Sequence, residues 1–160
     1  MTEQIDESSI LKIIGEKTLY IHDLINLAFE IKRKLRSKEF DFSALIQPYG
    51  GPEWENLTIM IPYLPREIVE ENLDQLLEGF MDLNWSGSRI LYGYLAEIDI
   101  HKLKDSFDRV IDKAVEMDDT EWVYFLCVFM NDERIGMKDY FIPEIEKSRS
   151  FLKSHNIDYD

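Results

Sequence analysis

The sequence predicts an all-α protein built from stacked antiparallel helical hairpins. Three observations carry this reading. In most of the chain, apolar residues recur at steps of three and four, the spacing of one helix face. The one segment with strand-like composition, residues 122–130, has no second strand candidate to pair with. Trp54, Trp85 and Trp122 stand 31 and 37 residues apart, and each opens an apolar segment after a polar turn. An irregular helical bundle is the alternative architecture. At 160 residues and 45% apolar content the chain is expected to form a single helical domain over 1–160, with 1–7 and 154–160 as frayed ends.

The elements follow in order. From Thr18 to Arg36, Ile21, Leu24, Ala28, Ile31 and Leu35 step by three and four, with Thr18 as N-cap. Lys32, Arg33, Lys34, Arg36 and Lys38 crowd the helix end, where cations complement the dipole. Pro48 to Pro52 is a turn, and a helix begins near Trp54. Pro62 and Pro65 bracket the next turn. Beyond it Val69, Leu73, Leu76, Leu77 and Phe80 mark a buried face, opposite a continuous acidic stripe of Glu67, Glu71, Asp74 and Glu78. Ile90 to Ile98 and Leu103 to Ala114 predict two helices separated by Asp99 and Ile100, packed as antiparallel neighbours. Residues 122–130 are assigned to a helix, and Tyr140, Phe141, Ile145 and Phe151 to a closing helix that Pro143 starts or kinks.

The tryptophans sit in similar words. Asp82-Leu83-Asn84-Trp85 and Asp119-Thr120-Glu121-Trp122 share an Asp three residues before Trp, and Glu53-Trp54 echoes Glu121-Trp122. An Asp or Asn before a helix accepts its unpaired N–H groups, and a first-turn Trp can wedge against the preceding hairpin. Trp54, Asp82, Asn84, Trp85, Asp119 and Trp122 are therefore read as structural joints. A two-helix period in the thirties is that of an α-solenoid.

The stretch Leu76 to Trp85, followed by Asp119 and Trp122, resembles a bacterial family of unknown function whose signature is Asp-x-Asn-Trp between two helices. The resemblance covers roughly Leu57 to Met130. It implies a short HEAT-like α-α superhelix, no catalytic residues, and membership of bacterial immunity or adaptor repertoires. The residue after Trp is often Pro in that family and is Ser86 here.

Charge narrows the function. The net charge is −14; residues 1–40 are neutral, whereas 41–160 hold 11 basic against 25 acidic side chains. Such a field repels phosphate backbones and anionic lipid, so neither nucleic acid nor a membrane is expected as partner, and a basic protein is. No apolar run approaches the roughly 20 residues that span a bilayer. The polar acidic N-terminus and the single Cys127, set in an apolar run, lead to an expected cytoplasmic location.

No motif for a phosphate loop, a nucleophile elbow or a zinc site occurs, so no cofactor or metal is expected. Glu97 and His101 are split by the predicted turn. Asp105, Asp108, Asp112 and Glu116 are interleaved with Arg109 and Lys113, as in a solvated, ion-paired face. The expected function is a non-catalytic protein-interaction module, such as a bacterial immunity protein. Its acidic face, Glu67, Glu71, Asp74 and Glu78, would meet a basic protein, with Tyr92 and Tyr94 as aromatic anchors. The competing expectation is a metal-dependent enzyme with convergent carboxylates. The oligomeric state is left open.

Overall fold

The computed structural model describes residues 7–16, 19–46 and 51–159, with the backbone alone at 7 and 8. Among the described residues all regular structure is helical: α1 (Glu7–Ile14), α2 (Ile21–Arg36), α3 (Pro52–Met60), α4 (Arg66–Glu71), α5 (Leu73–Leu76), α6 (Ser86–Leu95), α7 (Ile100–Glu116), α8 (Thr120–Asn131) and α9 (Ile142–Ser154). Short 3-10 turns at Phe42–Leu45, Ile61–Tyr63, Leu77–Met81 and Lys138–Tyr140 complete the set. None of these helices is long and apolar enough to cross a membrane.

The helices form two compact units. One holds the described residues up to Asn72 together with Trp85–Leu91; the other holds Leu73–Asn84 and everything from Tyr92 onward. The chain passes between them three times, so neither is a continuous stretch of sequence.

In the first unit α2 packs on α3 and on the turn Ile61–Tyr63, and α1 packs on α3. Of the face foreseen for α2, Leu24, Ala28, Ile31 and Leu35 are all below 5% exposure, whereas Ile21, the first residue of the helix, is 59% exposed. The helix starts at Ile21, after Tyr20, whose side chain makes no cap hydrogen bond; the expected cap Thr18 lies outside the described residues. Asn56 ties α1 to α3 by donating from its amide to the carbonyls of Ile14 (2.8 Å) and Glu16 (2.9 Å). These bonds satisfy carbonyls that a helix end leaves open.

In the second unit α8 is the central element, packed on α7, α9 and the turn Leu77–Met81. An aromatic cluster fills its core: Phe129 lies 6.1 Å from Phe80, 5.0 Å from Tyr92 and 5.3 Å from Phe107, and Phe107 lies 5.2 Å from Phe141. Rings at these separations add to their area burial. Helix α7 buries Leu103, Phe107, Val110, Ile111 and Ala114, the face its spacing predicts.

Three expectations change. The helix foreseen from Pro65 to Phe80 is interrupted at Asn72, whose side chain donates to the Ile68 carbonyl (2.8 Å) while its backbone leaves helical geometry (φ −111°, ψ 16°). Asparagine competes for backbone partners in this way, and the chain resumes as the short α5 and then a 3-10 turn. Helix α7 takes α5, α8 and α9 as its main neighbours in place of α6. The tail 155–159 is anchored: Asn156 adopts φ 59° after α9, the Ile157 amide returns to the Leu152 carbonyl (2.9 Å), and Tyr159 packs on Tyr124 at 5.2 Å. Pro143 starts α9.

Candidate functional site

The tryptophans sort into two kinds. Trp54 and Trp122 each occupy the third position of their helix, and both are fully buried. Trp54 donates from Nε1 to the Ser88 hydroxyl (3.0 Å), and Trp122 donates to the Leu77 carbonyl (3.0 Å). Asp119 caps α8 by accepting from the Trp122 amide (3.0 Å). Trp85 instead precedes its helix, is half-buried, and offers its carbonyl to Ser88 and Arg89; Asp82 accepts from the Asn84 amide (2.8 Å) in a local turn. The three positions are thus not equivalent repeats of one joint. Sequence spacing missed Gly87, where an added Cβ would stand 2.4 Å from Trp54 Cδ1. Only glycine admits the indole so close to the helix backbone.

The acidic stripe divides where its helix does. Asp74 receives two bonds from Arg109 (2.7 and 3.0 Å), and Glu78 receives one from Lys113 (2.6 Å). Burial raises the Asp74 pKa, but the hydrogen bonds from Arg109 and Ser106 outweigh it and hold the carboxyl below its usual range. Lys147 bridges Asp108 (2.8 Å) and Asp112 (2.6 Å), and Lys104 pairs with the buried Glu144 (2.6 Å). The charged face of α7 is therefore laced to its neighbours on both sides.

Glu67 and Glu71, on α4 in the first unit, differ. Both are exposed, and neither makes an ion pair among the described residues. They line an open cleft of about 550 Å³ whose apolar lining comes from Leu35, Phe40, Phe42 and Ile68. Its other charged lining residues are Arg36 at the end of α2, Lys38 just beyond it, and Asp41, which accepts from the Ser43 amide (3.0 Å). Arg33 pairs with Glu30, and the largely buried Lys34 reaches Glu39 at 3.9 Å, while Arg36 and Lys38 are exposed and make no ion pair among the described residues. The basic turn and half of the acidic stripe, which sequence analysis treats as separate features, thus share one cleft.

Tyr92 is not a free anchor. Its ring stacks on Phe80 at 5.8 Å, and its hydroxyl donates to Asp132 (2.6 Å), which Arg134 grips in turn (2.8 Å). Hydrogen bonds from Arg134 and then Tyr92 hold the Asp132 carboxyl well below its usual range; burial and the Asp132 bond push the phenol up. Tyr94 is half-buried on α6.

Cys127 is buried, and that burial pushes its thiol up to about 11, away from thiolate reactivity. Among the described residues no group of three or more His, Cys, Asp or Glu converges to hold a metal ion. Asp108 and Asp112, the middle of the carboxylate ladder, are both taken by Lys147. No family model, curated protein or solved structure matches the chain.

Proposed function

We propose that the chain is a non-catalytic binding module that engages a basic protein through Glu67 and Glu71 on α4. The observation that carries this reading is their exposure without an ion pair, beside an apolar-lined cleft, while Asp74 and Glu78 are internally neutralised. Exposed carboxylates steer a basic partner and set its register; apolar surface beside them supplies affinity. The net charge of −14 favours such an encounter over one with nucleic acid. An immunity protein that neutralises a basic toxin fits this chemistry, as does the resemblance to the Asp-x-Asn-Trp family with its stacked helical hairpins and its place in bacterial immunity repertoires. A cytoplasmic setting belongs to the same reading.

The test is a titration of the chain with a lysine-rich peptide followed by fluorescence anisotropy. Affinity should fall about 10-fold or more between about 20 and 200 mM salt, as screening shortens the range of exposed charges. The Glu67→Gln/Glu71→Gln variant should lose most of the remaining affinity. Salt-insensitive binding, or binding unchanged in that variant, overturns the proposal.

A further inference from the structure

The cleft of the first unit carries charges of both signs, and a purely basic ligand would leave Arg36 and Lys38 unanswered. Arg36 and Lys38 lie within the same lining as Glu67 and Glu71, yet no ion pair joins the two sets. In the second unit Asp74, Glu78, Asp108, Asp112 and Glu144 are matched by cations, while Asp105, Glu116 and Glu121 are exposed without an ion pair among the described residues.

Lys38 adds to the picture. Among the described residues three non-glycine residues take left-handed backbone geometry, Lys38 (φ 60°), Asp118 (φ 56°) and Asn156 (φ 59°), each just past the end of a helix. Glycine serves at such positions at lowest cost, and Asn or Asp tolerate them. Asp118 also uses its side chain, which meets His155 at 2.7 Å. Lys38 closes its helix with the same paired backbone bonds, its own N–H to the Leu35 carbonyl (3.2 Å) and the Glu39 N–H to the Lys34 carbonyl (3.0 Å), and its side chain makes no ion pair among the described residues.

The outer surface of α2 leads toward the same end. Ile21 and Phe29 are 59% and 55% exposed, and Ile21, Ile25 and Phe29 follow one another by four residues. Arg36 stands seven residues after Phe29, so it shares that face. The exposed apolar residues of this face end at Phe29, and Lys32 and Arg33 lie between it and Arg36.

We infer that the cleft takes a peptide segment of a partner protein that carries an acidic and a basic side chain together. Arg36 and Lys38 hold the acidic side chain, Glu67 and Glu71 hold the basic one, and the apolar residues of the segment lie on the apolar lining of the cleft. Opposite charges at both ends of a short segment fix its direction as well as its register, which a single-sign contact does not. The inference rests on the assignment of Glu67 and Glu71 to partner binding and adds the chemistry of the partner segment.

Two synthetic peptides of equal length and equal apolar content separate the two claims when titrated into the full chain. One carries lysine at every charged position; the other mixes lysine and glutamate. Neutralising the basic pair, Arg36→Gln/Lys38→Gln, makes the protein more negative, so by charge alone it strengthens the binding of any lysine-bearing peptide. The inference requires the opposite for the mixed peptide, a loss of about 10-fold, with no loss for the all-lysine peptide. Amide chemical shifts should move around residues 36–42 and 67–72 when the mixed peptide binds. Strengthened or unchanged binding of the mixed peptide in Arg36→Gln/Lys38→Gln overturns the inference, as does an absence of mixed-peptide binding to the unaltered chain. All-lysine binding that is unaffected by Glu67→Gln/Glu71→Gln would instead overturn the reading on which it rests.

Discussion

The two units solve the same folding problem alike and treat their charges differently. Each buries a tryptophan at the third position of a helix and satisfies its indole N–H, Trp54 on Ser88 and Trp122 on Leu77. In the second unit Asp74 and Glu78 meet cations of α7, whereas in the first Glu67, Glu71, Arg36 and Lys38 stand around one cleft without an ion pair among the described residues. The difference teaches that an acidic stripe in sequence is two objects in space. Glu67 and Glu71 face solvent; Asp74 and Glu78 are paired with Arg109 and Lys113 of α7.

The largest effects should come from what the units share. Trp54→Ala and Trp122→Ala should each cost about 3–5 kcal/mol in urea unfolding, the toll of emptying a large buried site. A cost below about 1 kcal/mol at either position would remove that tryptophan from its role as a joint. The seats of the two indoles differ in how they can be broken. Ser88→Ala leaves the Trp54 Nε1–H without its partner and should cost about 1–3 kcal/mol. Gly87→Ala forces a carbon against the same ring and should cost a similar amount, about 1–3 kcal/mol. The Trp122 partner is a main-chain carbonyl, so no side-chain change at Leu77 deletes the acceptor.

Acid titration probes the second unit next. The Asp132 carboxyl, held by Arg134 and Tyr92, has its folded pKa depressed. Its stabilisation is therefore fully present above the unfolded value of about 3.9 and is lost as pH falls from there toward the folded value. Unfolding free energy measured against pH should decline less steeply below about pH 4 in Asp132→Asn than in the unaltered chain. Parallel curves for the two proteins would show that Asp132 titrates alike in both states.

The charged pairs give smaller effects and the sharpest contrast. Asp74→Asn/Glu78→Gln should cost up to about 1 kcal/mol for each exposed pair it breaks. Glu67→Gln/Glu71→Gln should stay within about 0.5 kcal/mol of the unaltered protein, as for surface residues without partners. Lys38→Gly should move the other way and stabilise by about 0.5–1 kcal/mol, because glycine meets φ 60° without a Cβ penalty. The same change should weaken binding of the mixed-charge peptide. A stabilised protein with undiminished binding would take Lys38 out of the cleft's chemistry.

Much of the fold is legible in the chain because it depends on local period. The stepping of Leu103, Phe107, Val110, Ile111 and Ala114 names the buried face of α7, and Asp119 before Trp122 names a cap. The break at Asn72 is harder to read, since an Asn in mid-helix either points to solvent or turns back on its own backbone, and surrounding packing decides. The matching of Asp74 by Arg109 and of Glu78 by Lys113 spans 35 residues in each case. No local pattern encodes a pairing at that distance, so the stripe reads as continuous and solvated. Trp85 looks like Trp122 in its preceding residues, but its helix opens one residue later, at Ser86, which leaves the ring half-buried. The cleft is least legible of all, because Arg36 and Lys38 reach it from one helix end and Glu67 and Glu71 from a helix about 30 residues later.

The most direct test sets the two halves of the stripe against each other in one binding measurement. A lysine-rich peptide is titrated at low salt into Glu67→Gln/Glu71→Gln and into Asp74→Asn/Glu78→Gln, two variants of equal net charge. Affinity should fall about 10-fold in the first and stay within about twofold of the unaltered chain in the second. Equal losses in both, or the larger loss in the second, would show that overall charge or the α5 side of the molecule governs binding, and would contradict the assignment of function to the first unit.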